Sequence, residues 1–448
     1  MDAYDLDASA RIIISSNNGV PATSRSSVVD VVSFYTGFPD QCSYSGMFPA
    51  WTVAVLLTIG SLWSCGVQAL LLRNDCICDP INAFLDSLPL NRERTDQLLE
   101  IDGYQGTPHR VVTEDGYVLK LYRIWSGNRP TPVNSSREVI LLQHGILHSS
   151  ADWLVLGPGR SLAYQLVDLG FDVWLANTRS SLNSHQHLKL CTCSKEFWDY
   201  SWHELGYYDL AASIDRVLEE TNRPRLRLVA FSEGGAMAMV LLSSRPAYND
   251  KLIGLDAMAP GTFVSNTWYR FLALPALKIP KFLHSVYALY ATNQLAVDVC
   301  ESKKQACLDL YYQIIAGESA GMNRTWIDRI YPSLPAGGSM REVMHYVQII
   351  WSKRFAPFDY GIKKNLRLYG RSTPPEYRLD RVTAPINIHY GLADKIVDPS
   401  GVQRLASKLI NSERLRMRSY NKLQHSDFIY ADSAFQIVYK EVIKWIVE

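Results

Sequence analysis

The chain has 448 residues, 47% of them hydrophobic, 20% charged and 11% aromatic, which is enough apolar material for one large globular core or several small ones. Its formal net charge is +1 and it carries no long basic run, which excludes the cationic face that nucleic-acid binding requires. It contains no internal repeat and no low-complexity tract.

Residues 1–46 are rich in Ser, Asp and Asn without apolar periodicity, so they read as a polar tail that does not fold alone. An uncharged apolar run from Trp51 to Leu72 follows, diluted by Gly60, Ser61, Ser64, Gly66 and Gln68. Two readings fit segment 47–72. Started from Met47, it is a signal peptide ending in the small-x-small pattern Val67-Gln68-Ala69. Left uncleaved, 51–72 is just long enough for a membrane anchor. Arg73 would then favour a cytoplasmic C-terminal part. The six cysteines beyond it (Cys76, Cys78, Cys191, Cys193, Cys300, Cys307) and the sequons at Asn134 and Asn323 point instead to a lumenal or extracellular protein, secreted or lysosomal, with the anchored form as the alternative. The run His185-Gln-His187-Leu-Lys-Leu-Cys191-Thr-Cys193 offers zinc-type ligands, but its spacing is cramped, and an oxidising compartment would use the thiols in disulfides. No metal is expected.

The segment Val111–Ile124 reads as a hairpin with Asp115-Gly116 at its turn. Short apolar runs at Val139–Gln143, Phe171–Ala176, Leu226–Phe231, Ile253–Met258 and Ile386–Tyr390 read as buried parallel strands, with a further strand at Leu415–Ser419. Helical patterns lie between them at 162–169, 205–220, 233–245, 400–410 and 433–447. Strand–helix alternation of this kind predicts an α/β fold, a mostly parallel sheet covered on both faces. More than 120 residues separate the fourth and fifth of these strands. The expected organisation is therefore a core of 75–261 and 376–448 with an insert at 262–375. The insert is rich in aromatics, among them Trp268, Tyr269, Phe271 and Trp326, and Met340, Val343, Met344, Val347, Ile350 and Trp351 recur at helical spacing. Such a stripe packs the insert on the core, or faces an apolar ligand.

The stretch Leu226-Arg-Leu-Val-Ala-Phe-Ser232-Glu-Gly-Gly235 runs a strand into a serine and then into a small-residue helix, the pattern of a nucleophile elbow. A serine hydroxyl is a weak nucleophile until a base lies within hydrogen-bond reach and a third group orients that base. The fifth parallel strand delivers Asp394 just past its end, and the loop after the last strand carries His425. Groups at the carboxyl ends of parallel strands converge, so Ser232, Asp394 and His425 can meet. The backbone N–H groups of Glu233 and of Leu147, in the loop after His144-Gly145, are placed to serve as an oxyanion hole. Asp256 and Asp398 are rival acids; Asp398 precedes a helix, where capping is its bland role. His389 lies inside an apolar strand and reads as a core residue.

At these residues the chain resembles the acid lipase family of α/β-hydrolases, the group that includes gastric and lysosomal acid lipases. The matching stretches, over about residues 78–448, are Val112-Thr-Glu-Asp-Gly-Tyr117, Gln143-His-Gly-Ile-Leu-His-Ser-Ser150 with Trp153, Ala176-Asn-Thr-Arg179, Phe197-Trp-Asp-Tyr-Ser201, Tyr208-Asp-Leu210, Ala259-Pro260 and the acid and histidine segments. The resemblance implies an α/β-hydrolase fold under a largely helical cap. It implies hydrolysis of neutral lipid esters, such as triacylglycerols or sterol esters, at a lipid–water interface, without a cofactor. It carries over Ser232 as nucleophile, Asp394 as orienter, His425 as base and Leu147 with Glu233 as oxyanion donors, and it implies a short disulfide loop between Cys300 and Cys307. Where the family usually has Gly-His-Ser-Gln-Gly, this chain has Ala230-Phe-Ser-Glu-Gly234. The alternative from another class is a catalytically silent lipid carrier on the same fold.

Overall fold

The computed structural model describes residues 94–127, 138–190, 192, 194–264, 321, 324–334 and 336–448. The expectations for the tail 1–46, segment 47–72, all six cysteines, Asn134, Asn323 and the aromatics of 265–320 fall outside the described residues.

Among the described residues nine strands form one sheet: β1 Tyr104–Val112, β2 Tyr117–Ser126, β3 Val139–Gln143, β4 Asp172–Leu175, β5 Gln186–His187, β6 Leu226–Phe231, β7 Leu252–Met258, β8 Ile386–Gly391 and β9 Leu415–Tyr420. The spatial order is β1-β2-β4-β3-β6-β7-β8-β9, with β5 beside β2. The β1–β2 hairpin is antiparallel and joins β4 antiparallel, whereas β4 through β9 run parallel to one another along that path. The strands expected from apolar runs recur within a residue or so of their bounds. The hairpin is longer than expected at its open end, reaching Tyr104 and Ser126.

Period-two alternation sends successive side chains of the inner strands to opposite faces. Leu141, Leu228, Ala230, Leu255, Ala257, Ile386 and Ile388 share one core with the helices α3 Ala211–Thr221, α4 Glu233–Ser244 and α7 Pro399–Lys408. Ile140, Leu142, Val173, Leu175, Val229, Phe231 and Met258 share the other with α1 Arg94–Ile101, α2 Leu162–Leu169 and α8 Lys440–Val447. Each fully buried aliphatic side chain contributes about 1.5–3 kcal/mol, so a strand buried on both faces is worth its continuous apolar run. Two of the expected helices contain a π-helical turn, at Leu205–Leu210 and Phe435–Tyr439.

Within the 262–375 range, α5 Met340–Ser352 and α6 Ile362–Tyr369 are described. Ser339 and Glu342 form a capping box that starts α5. Met344, Val347 and Ile350 are buried as the spacing predicted, but Trp351 is 37% exposed and Ile349 takes its place in the core. The inward face also carries His345, which stacks on core Trp202 with ring centroids 3.8 Å apart. For α5, packing on the core is therefore the reading that holds. No helix among the described residues is long and apolar enough to cross a membrane.

Candidate active site

Ser232 sits between β6 and α4 at φ 53°, ψ −114°. That is a conformation L-residues avoid, and it persists only when neighbours enforce it. The enforcement comes from β7 and the turn after it. The Ser232 N–H donates to the Met258 carbonyl at 2.9 Å, and the Ser232 carbonyl accepts from the Gly261 N–H at 2.9 Å and the Gly235 N–H at 3.0 Å. A Cβ on Gly234 would stand 2.8 Å from the His144 carbonyl oxygen, and one on Gly235 would stand 2.7 Å from Pro260 Cβ. Both glycines are therefore demanded by close approach. Ala230 is not. It lies in regular strand between Gln143 of β3 and Ala257 of β7, where a methyl group fits.

Asp394 follows β8 and is 4% exposed; His425 follows β9 and is 6% exposed, the same as Ser232. His425 Nδ1 lies 2.8 Å from Asp394 Oδ2, and Nε2 lies 2.8 Å from Ser232 Oγ. A carboxylate only accepts, so Nδ1 carries the proton and Nε2 is left to receive one from the serine. The other Asp394 oxygen, Oδ1, accepts from the N–H groups of Ile396 and Val397, both at 2.8 Å. Gly391 lets the two loops meet, since a Cβ there would run into the Leu423 carbonyl oxygen. The Asp427 carboxylate accepts from the Gln424 N–H at 2.7 Å and holds the histidine loop.

The rival acids separate by placement. Asp398 caps α7, accepting from the N–H groups of Ser400 and Gly401. Asp256 lies inside β7, fully buried, where it accepts from Asn387 Nδ2 at 2.8 Å. His389 is buried and its Nδ1 is 2.9 Å from the Tyr420 hydroxyl. His185 and His187 are engaged with the carbonyls of Ser180 and Asp115, at 3.0 and 2.9 Å.

The loop after β3 turns back at Leu147, whose φ of 61° is positive without a glycine. Neither the Leu147 nor the Glu233 N–H has a hydrogen-bond partner among the described residues, as donors awaiting an oxyanion must be. Three groups outside the expected set hold this loop. The Thr178 N–H donates to His144 Nε2 at 3.3 Å, and His144 Nδ1 faces the Gly145 carbonyl at 2.8 Å. Burial pushes His144 down to about 4, so it stays neutral in that role. Asn177 accepts from the Ser150 N–H at 2.9 Å. Asp152 takes His148 Nδ1 at 2.8 Å and the Tyr430 hydroxyl at 2.7 Å, tying the loop to the turn after His425. The Phe231 ring packs between His148 and His425, with centroids 5.7 and 5.1 Å away.

The Glu233 side chain is buried, 2% exposed, and contacts the equally buried Glu342 of α5. Burial, and then the neighbouring Glu342 charge, push it well above the usual carboxylate range. Glu342 was not singled out in the sequence; the Ser339-x-x-Glu342 capping pattern marks the helix start but not what the glutamate faces.

Together these residues can activate a serine hydroxyl, stabilise an oxyanion with backbone N–H groups and return the proton to a leaving group. Comparison with known proteins bears on the same chemistry. The family model for the alpha/beta hydrolase fold matches residues 138–432, and that for a partial alpha/beta-hydrolase lipase region matches 95–157. The chain is 34% identical to Lipase 1 of Drosophila melanogaster over 352 residues, 78% of each chain. It is 32% identical to gastric triacylglycerol lipase of Bos taurus over 380 residues, 82% of this chain and 94% of that one. It is 30% identical to lipase member K of Mus musculus over 382 residues, 82% and 95% of the two chains.

Proposed function

This chain belongs to the acid lipase family of α/β-hydrolases and is a carboxylic ester hydrolase of the lipase type; we propose that it cleaves neutral lipid esters, triacylglycerols or sterol esters, at a lipid–water interface, through an acyl-enzyme on Ser232. The observation that carries the assignment of residues is the unbroken hydrogen-bond chain from Ser232 Oγ through His425 to Asp394 at the tip of a strained elbow.

In this mechanism Ser232 Oγ attacks the ester carbonyl carbon as its proton passes to His425 Nε2. Asp394 keeps the ring oriented and offsets the imidazolium charge. The negative oxygen of the tetrahedral intermediate is received by the N–H groups of Leu147 and Glu233. His425 then gives its proton to the leaving alkoxide, and the acyl group stays on Ser232. Water, deprotonated by the same nitrogen, attacks the acyl carbonyl and releases the fatty acid. No cofactor enters.

In the same reading residues 75–261 and 376–448 form the hydrolase core and 262–375 the cap. The protein enters the secretory pathway through segment 47–72 and is secreted or lysosomal, with glycans at Asn134 and Asn323 and a Cys300–Cys307 disulfide. The apolar run, the sequons and the even cysteine count support this.

Ser232→Ala should lower kcat on a long-chain ester by a factor on the order of 10⁴–10⁶ and abolish labelling by a fluorophosphonate probe. Undiminished turnover would remove Ser232 as nucleophile. A wild-type protein that neither turns over nor labels at any pH would be the silent carrier, against which the intact hydrogen-bonded triad weighs.

A further inference from the structure

Glu342 is surrounded by donors. The Ser180 hydroxyl lies 2.9 Å from each of its oxygens, and the Ser339 N–H donates to Oε2 at 2.6 Å. Glu342 accepts in every one of these bonds, and each favours its charged form against the burial that opposes it. Glu233 has no such supply. Its Oε2 has no hydrogen-bond partner among the described residues, and its side chain meets that of Glu342. Two carboxylates cannot remain in buried contact while both are charged. With these donors already on Glu342, the arrangement they favour makes Glu233 the acid.

We propose that Glu233 carries a proton that it donates to Glu342, and that this acid–carboxylate hydrogen bond fixes the first turn of α4, and with it the Glu233 N–H, against α5. The Glu233 side chain is then a positioning group for its own backbone donor. The inference rests on the reading of that N–H as half of the oxyanion hole.

The surroundings favour this state from every side. Tyr346, one turn beyond Glu342 on α5, faces both acids and is held neutral by burial first and then by the negative charge beside it. His345 on the same helix is pushed down to about 3 by burial, so it supplies no cation. Tyr200 and Asp209 face Glu342 from the core side, and Asp209 adds only negative charge. Arg179, next to Ser180, is held by Asp115 and Asp209, each with contacts as short as 2.6 Å. Losing the shared proton would set two negative charges in buried contact. One of them would belong to the residue after the nucleophile, beside the developing oxyanion, so turnover must fall as the pH rises.

The test is the pH dependence of kcat for a soluble short-chain ester, measured for wild type, Glu233→Gln and Glu233→Ala. The glutamine can donate the same hydrogen bond but has no proton to lose. Its alkaline limb should move up by about one pH unit or more relative to wild type. The alanine, lacking the bond, should lose about tenfold in kcat at every pH. A glutamine limb superimposed on that of wild type, or an alanine variant with wild-type kcat, overturns the proposal. Infrared difference spectra of the unmodified enzyme give a check that needs no variant to fold: a buried protonated carboxyl should be present at pH 7, and its absence overturns the proposal equally. Ser232→Ala run in parallel keeps the two readings apart. Residual turnover there sinks the nucleophile assignment, whereas an inert Ser232→Ala with coincident limbs sinks only the proton-sharing pair.

Discussion

Two acids flank the nucleophile, and the chain treats them in opposite ways. On the β8–β9 side, Asp394 is given three donors, two backbone N–H groups and an imidazole, so it stays an acceptor that orients a base. On the α4–α5 side, Glu233 Oε2 is given no donor among the described residues, and a second acid is its neighbour. Both are buried to within a few per cent. Burial alone therefore does not decide what a carboxyl does; the donors aimed at it do. On the proposed mechanism one side fixes the base, and the other fixes the oxyanion donor against α5.

The largest break in this contrast is Asp394→Asn. The amide would present a donor to His425 Nδ1 and reverse the tautomer the triad needs, so kcat should fall on the order of 10⁴-fold with the fold intact by circular dichroism. Next is Arg179→Met. Arg179 is 1% exposed, forks between Asp115 and Asp209, and lies 3.8 Å over the Tyr117 ring. It anchors the strand exit that delivers Ser180 to Glu342. Removing one partner of a buried ion cluster costs about 3–5 kcal/mol, read as a lower denaturation midpoint. Asp394→Asn should leave that midpoint nearly unmoved. A variant pair with the two effects exchanged would dissolve the distinction between a chemical side and a structural side.

Much of the Asp394 side was legible in the sequence, because each of its pieces is local. An apolar run, a glycine and an acid mark the end of β8, and the histidine follows the next strand. The bland role of Asp398 was legible for the same reason, since a cap is a matter of adjacent residues. The Glu233 side was less so. The departure from the family's glutamine was visible, but its partner stands on a helix from the insert, and no local pattern says which face of α5 meets the elbow. The apolar stripe even misdirects there, since Trp351 points outward and polar Glu342 and His345 point in. The π-helical turn at Leu205–Leu210 was equally hidden, because one inserted residue leaves the composition of a helix unchanged. Its position is set by tertiary contact, with Gly206 packed so closely that a Cβ would stand 2.6 Å from the Met237 carbonyl oxygen.

The finest test of the contrast is stability against pH. In the unfolded chain a glutamate titrates near 4.3, whereas burial raises both Glu233 and Glu342 in the fold, Glu233 further under the charge of Glu342. Between those two points the folded state binds more protons than the unfolded one, so the stability lent by the pair is complete below pH ~4.3 and is lost as the pH rises through the raised titration. Each unit of upward shift is worth about 1.4 kcal/mol. The melting temperature of wild type should therefore decline from pH 5 to pH 8 more steeply than that of Glu233→Gln, which removes the excess proton uptake at its source. Parallel melting curves for the two proteins across that range would mean that the second acid is handled like the first, by donors rather than by a proton.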